Sequence, residues 1–144
     1  MRNHIEFVHL QGYSPAFNMP YTAGIKVVSG KLVFISGVTA APIYHHHPHR
    51  PEEFEDIPED PGEQAQLAME ALLQVLQAAG GTLEDIVSVT RYIRDIEMNQ
   101  DAINRVVGRY FGDHRPTSTT VEVVRMATDS RVKFEMSAIA VVPG

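Results

Sequence analysis

Residues 60–81 read DPGEQAQLAMEALLQVLQAAGG, and this stretch decides the architecture. Asp60 offers a carboxylate to the free amides of a helix start, Pro61 suits the first turn, and Glu63 lies three residues after the cap. Ala65, Met69, Leu72, Leu76 and Ala79 recur at helical spacing, Leu67 and Leu73 widen the apolar face, and Gly80-Gly81 ends the run. So broad a stripe fits a helix lying on a sheet.

Working outward, Ile86 to Ile93 is a β-branched run in which Val87, Val89 and Arg91 oppose Ile86, Ser88, Thr90 and Tyr92. A second helix is expected from about Gln100, with Ile103, Val106, Val107 and Tyr110 on one face, ending near Gly112. Two strands follow, Thr119 to Val124 and Val132 to Val142. The second is so apolar at its end that it reads as buried on both faces. On the N-terminal side, residues 5–9 read as a short strand. The runs 25–28 and 32–36 flank Ser29-Gly30-Lys31, a hairpin signal. Between them and the helix, residues 41–61 are crowded with histidine, proline and acidic residues and lack apolar periodicity, which marks a long loop insertion. The sum is one α+β domain over residues 1–144, a mixed sheet of about six strands with two helices on one face. Its other face needs cover, most simply from a second subunit.

A chain of 144 residues is long enough to bury one core. The net charge of −6 gives no footprint for nucleic acid, and Arg91, Arg94, Arg105 and Arg109 read as a solvated surface. With no cysteine, disulfides, thiolate nucleophiles and cysteine-held metals are excluded. No window approaches the roughly 20 apolar residues of a membrane span. Met1 to Glu6 lacks the basic and apolar pattern of an export signal, so the expectation is a cytoplasmic protein without membrane partners.

Pro20-Tyr21, Phe34-Ile35-Ser36-Gly37, Ala78-Ala79-Gly80, Leu83-Glu84-Asp85-Ile86-Val87, Arg115-Pro116, Thr120-Val121-Glu122-Val123 and Val132-Lys133-Phe134-Glu135 occur in an order that resembles the Rid (YjgF-like, reactive-intermediate deaminase) family. The resemblance runs from about Pro20 to Val142. It implies a chorismate-mutase-like fold and a homotrimer with small-molecule pockets between subunits. It also implies hydrolysis of enamines and imines such as 2-aminoacrylate to a keto acid and ammonia, without metal or organic cofactor. By position, Tyr21 falls at the family's pocket tyrosine, Ser36 and Gly37 at the strand end lining the pocket, and Asn104 at an asparagine of the second helix. Thr120 replaces a frequent cysteine, and Glu135 falls at the glutamate that positions the hydrolytic water. Ser118 is the departure, standing where the family's deaminases carry a substrate-gripping arginine.

Chemically, a planar guanidinium grips a carboxylate by two parallel bonds that serine cannot make. Arg115, next to Pro116, is the nearest candidate for a substitute, with Arg125 and Lys133 as alternatives. The leading expectation is thus a C–N hydrolase of the deaminase type, weakened at Ser118 and related in kind to 2-aminomuconate deaminases. The alternatives are a non-catalytic ligand-binding trimer and, disfavoured by the acidic balance, a ribonuclease or translation inhibitor.

His45-His46-His47-Pro48-His49 offers imidazoles, common metal ligands. Consecutive residues of an extended loop point apart, so convergence of three rings is not expected, although Glu52, Glu53 and Glu55 could add carboxylates. The loop follows the strand bearing Ser36 and Gly37, a position that suits a lid.

Overall fold

Asp60 caps the main helix as its position predicts, its Oδ2 accepting from the Glu63 amide at 2.9 Å. In the computed structural model, which describes residues 3–144, this helix, α1, spans Pro61–Ala78. Met1 and Arg2, which begin the stretch read for an export signal, lie outside the described residues. No described helix is long and apolar enough to cross a membrane.

Six strands accompany it: β1 (Ile5–Val8), β2 (Gly24–Val27), β3 (Lys31–Val38), β4 (Ile86–Arg94), β5 (Thr117–Val123) and β6 (Phe134–Val142). A second helix, α2, spans Ile96–Phe111. The mixed sheet has the order β3-β6-β4-β5, with β4 and β5 parallel and the other pairs antiparallel, while β1 and β2 form a two-stranded ribbon. The expected hairpin of β2 with β3 is therefore corrected: β2 pairs with β1, and β3 pairs with β6. The His4 carbonyl accepts from Val28 and Ser29, which keeps the end of β2 with the N-terminal strand. Gly30, at φ +105°, then turns the chain so close to the Val142 carbonyl that a Cβ would lie 2.6 Å from it.

α2 begins four residues before the expected Gln100. Asp95 takes a left-handed conformation, the Glu122 carboxylate of β5 accepts from the Ile96 amide at 3.0 Å, and buried Asn99 donates to the Arg94 carbonyl at 2.7 Å. These long-range partners start the helix where local periodicity does not.

Both helices cover one face of the sheet. Leu72 and Leu76 of α1 and Ile103 and Val107 of α2 pack with Val89, Ile93, Phe134, Met136, Ala138 and Ala140. On β6 the intervening residues Glu135, Ser137 and Ile139 face the other way and are only partly buried, where Phe34 of β3 stands 72% exposed. The end of β6 is buried on both sides as expected, because Ile5 and Val87 cover Val141. The long loop has structure of its own. A short 3-10 turn, Pro51–Phe54, sets Phe54 in a second core with Ala41, Ile57, Met126 and Val132.

One side chain joins these parts. Fully buried Gln64 donates to the carbonyls of Pro58 (2.8 Å) and Arg131 (2.9 Å) and accepts from the Lys133 amide (2.8 Å). Replacing it with leucine keeps the bulk but strands three part-buried backbone groups. Gln64→Leu is expected to lose about 2–4 kcal/mol in chemical denaturation; a loss below half a kcal/mol would mean that water takes over its bonds.

Candidate functional site

The strand register decides which of the sequence-predicted residues meet. Glu135 on β6 lies opposite Tyr92 on β4, on the face away from the helices. On its other side, β3 slips register between Ile35 and Val38, so Ser36 and Gly37 form a bulge. Gly37 lies directly against Glu135, and a Cβ added there would run into the carboxylate. The glycine is therefore required by close approach. Burial raises the Glu135 pKa above the ordinary glutamate value. Part of its surroundings is the loop core, which packs on Tyr92.

Ser118 and Thr120 take the opposite face. They pair with Val89 and Arg91 of β4, and Val89 belongs to the helix-side core. Here they meet α2: a cavity of about 220 Å³ is lined by Ser118, Arg91, Asn104, Arg115 and Pro20, among others. Two bonds hold the start of β5 in place, Thr117 Oγ1 donating to the Val87 carbonyl and His114 Nε2 to the Ile86 carbonyl, each 2.7 Å. The predicted site residues thus divide between the two faces of the sheet, Glu135 with Ser36 and Gly37 on one, and Ser118 and Thr120 with Asn104 of α2 on the other.

Arg91 is the residue the sequence reading misplaced. It is not part of a solvated surface but points into the helix-side cavity beside Ser118. Its Nη2 donates to Asn104 Oδ1 at 2.6 Å, and its guanidinium carbon lies 5.7 Å from the centroid of the Phe134 ring. Its buried Nε has no hydrogen-bond partner, and no carboxylate lies within 4 Å, among the described residues. Burial lowers its pKa, but a guanidinium in a protein keeps its charge. The signal was present in the alternation that grouped Arg91 with Val89. Val87, expected on the same face, turns instead to Ile5 and Val141, and Ile86 to the helix side, because β4 slips register between Ile86 and Ser88.

The three cations first considered are engaged elsewhere. Arg115 donates to the carbonyls of Met19 (3.2 Å), Gly112 and His114 (3.3 Å). Arg125 donates to the Met126 carbonyl, and Lys133 to that of Glu59. Arg115 still separates the cavity of Ser118 from a cleft of about 350 Å³ lined by Tyr21, Thr22, Asp113, His9 and Phe7. Tyr21 is 43% exposed there, and its neighbour Thr22 donates to the Arg115 carbonyl.

The histidine run also departs from expectation. Instead of pointing apart, His45, His47 and His49 bring one ring nitrogen each within 4.8 Å of the others. The loop bends at His47 and Pro48, which turns His47 toward His45 and His49, and the rings of these last two sit on Phe54.

Comparison with known proteins places the fold and the site in context. Residues 12–142 match the family model described as Endoribonuclease L-PSP. A RutC family protein of Pyrococcus abyssi is 36% identical over 121 residues, covering 84% of this chain and 85% of its own. TdcF of Escherichia coli, provisionally named a reactive intermediate deaminase, is 35% identical over 125 residues, covering 85% of this chain and 86% of its own. The crystal structure of TdcF with bound serine aligns with a TM-score of 0.63 at 34% identity, over 86% of this chain and 89% of that one. The Rid family protein YyfB of Yersinia pestis shares the fold, with a TM-score of 0.75 at 20% identity over 96% and 99% of the two chains.

The raised Glu135 pKa has a consequence for stability. A carboxyl that holds its proton more tightly when folded gives stability that is full below the unfolded pKa and lost as pH rises through the folded one. Unfolding of the Glu135→Gln variant should match wild type near pH 3–4, and the variant should become the more stable of the two as pH rises above about 4.5, the ordinary glutamate value. Parallel denaturation curves across that range would instead place Glu135 in open solvent.

Proposed function

The chain belongs to the Rid, or YjgF-like, family described as Endoribonuclease L-PSP, and from that membership we propose a hydrolase of small enamines or imines that carry a carboxylate. The observation that carries this reading is Arg91, a charged and incompletely bonded guanidinium beside Ser118, where the family's deaminases have their arginine. Arg91 grips the substrate carboxylate from the neighbouring strand, with Asn104 fixing the plane of its fork. The serine bound to TdcF, a small molecule with a carboxylate, is in keeping with a ligand of that class.

In the proposed reaction, an enamine first takes a proton at carbon to become the imine. Water then adds to the C=N carbon and ammonia leaves, so the products are a keto acid and ammonia. Glu135 holds the water and moves its proton as general base. Tyr21 and the strand end at Ser36 and Gly37 line the reacting end of the pocket. Because Glu135 and Arg91 occupy opposite faces of one sheet, the proposed site is completed between chains, with Glu135 of one subunit meeting Arg91 of the next. The exposed Phe34 on the open face supports burial against other copies in a homotrimer.

Ammonia release from 2-aminoacrylate or 2-aminomuconate tests the reaction. Wild type should accelerate it over buffer, and Glu135→Gln should abolish the acceleration. Arg91→Met should raise KM by about tenfold to a few hundredfold, the worth of one or two charge-assisted hydrogen bonds. No acceleration by wild type would overturn the hydrolase. Saturable thermal stabilisation by keto acids without turnover would mark a ligand-binding protein instead. Light scattering should give three chain masses, and a monomer would remove the shared site.

A further inference from the structure

We propose that His45, His47 and His49 form a three-imidazole site for one borderline divalent transition-metal ion, of the zinc, nickel or copper class. Imidazole nitrogen suits these ions, and three protein ligands with the remaining positions left to water is a common arrangement. The ring centroids lie 4.8, 5.1 and 5.0 Å apart, so the three side chains form a closed triangle rather than a row. With metal–nitrogen bonds of about 2.0–2.1 Å, tetrahedral ligand nitrogens stand about 3.4 Å apart. The present 4.8 Å closes to that by small rotations of side chains at the surface.

Two further contacts distinguish this cluster from a mere run of histidines. His45 Nδ1 lies 3.0 Å from the Pro42 carbonyl. A carbonyl only accepts, so Nδ1 carries the proton and Nε2 presents its lone pair, the orientation that outer hydrogen bonds impose on metal-binding imidazoles. The fourth histidine of the run is diverted. His46 Nδ1 lies 3.0 Å from Glu53 Oε2, and its backbone amide donates to Oε1 at 3.0 Å. That double contact turns His46 out of the triangle and holds the loop in the shape that keeps the other three together.

The platform is firm. Phe54, fully buried, meets the His45 and His49 rings edge-on at 5.1 and 5.5 Å. It belongs to the loop core that packs on Tyr92, the cross-strand neighbour of Glu135. A bound ion would therefore fix residues 45–49 against a core that borders Glu135, a structural role separate from proton transfer.

Untagged, chelator-stripped protein titrated with zinc and with nickel by calorimetry tests the site. One ion per chain is expected, with a higher melting temperature in its presence. His45→Ala, His47→Ala and His49→Ala should each weaken binding by at least about tenfold, while His46→Ala stays within about threefold of wild type. Copper added to the same variants should show nitrogen coupling in its electron paramagnetic resonance spectrum that changes to that of fewer imidazoles with each of the three and is kept with His46→Ala. Equal losses for all four histidines would reduce the effect to unspecific affinity of a histidine run and overturn the proposal. So would binding of several ions per chain, or no saturation below millimolar metal. All four substitutions lie at the protein surface outside both groups of site residues, and ammonia release by the metal-free protein provides an independent check that they remain folded and assembled.

Discussion

Strand alternation along β6 is the constraint on which the rest depends. Phe134, Met136, Ala138 and Ala140 fill the space beneath the helices, so Glu135, Ser137 and Ile139 must face the other way. A slip of one residue would bury a carboxylate under α1 and expel Phe134, at a cost no local rearrangement could offset. The register is pinned at both ends. Gln64 holds the backbone at Lys133 and Arg131, and Ile5 closes over Val141. The face on which Glu135, Arg91 and Ser118 stand follows from that phase, because β4 and β5 inherit it through their pairing with β6 and with each other.

The same phase sets the guanidinium of Arg91 beside Ser118 of the next strand. Ser118 and Arg91 are on neighbouring strands, on the same face, with Arg91 two pairs along from Ser118's partner Val89. A short side chain on the edge strand leaves room into which a long one from the interior strand can reach. Placing the charge there costs solvation, which the Phe134 ring and Asn104 offset in part. Such a fork is held more rigidly than one on an exposed edge, since packing on both sides restricts its rotamers.

Much of the architecture was legible in the sequence. The cap at Asp60, the stripe of α1 and the doubly buried end of β6 are local patterns with local causes, and the ordered sequence blocks pointed to the family. What escaped depended on distant partners. The Gly30 turn looked like a hairpin because nothing in residues 24–38 reveals that β1 and β6 compete for these strands. The early start of α2 needs Glu122, 26 residues away. Arg91 was different, for its signal lay in plain alternation. It shares the phase of Val89, and that was outweighed by the habit of arginines to be solvated. The histidine triangle comes from a bend at His47 and Pro48 and from the seat of His45 and His49 on Phe54, neither of which the local sequence shows.

The second core gives the long loop a thermodynamic identity of its own. Ala41, Phe54, Ile57, Met126 and Val132 pack together apart from the helix-side cluster. A segment with its own small core can open as one cooperative unit while the main sheet stays closed. Amides of residues 41–57 would then exchange with solvent together, at a free energy below that of global unfolding. Each such opening would lift this small core from Tyr92, the cross-strand neighbour of Glu135, while the helix-side core stayed closed.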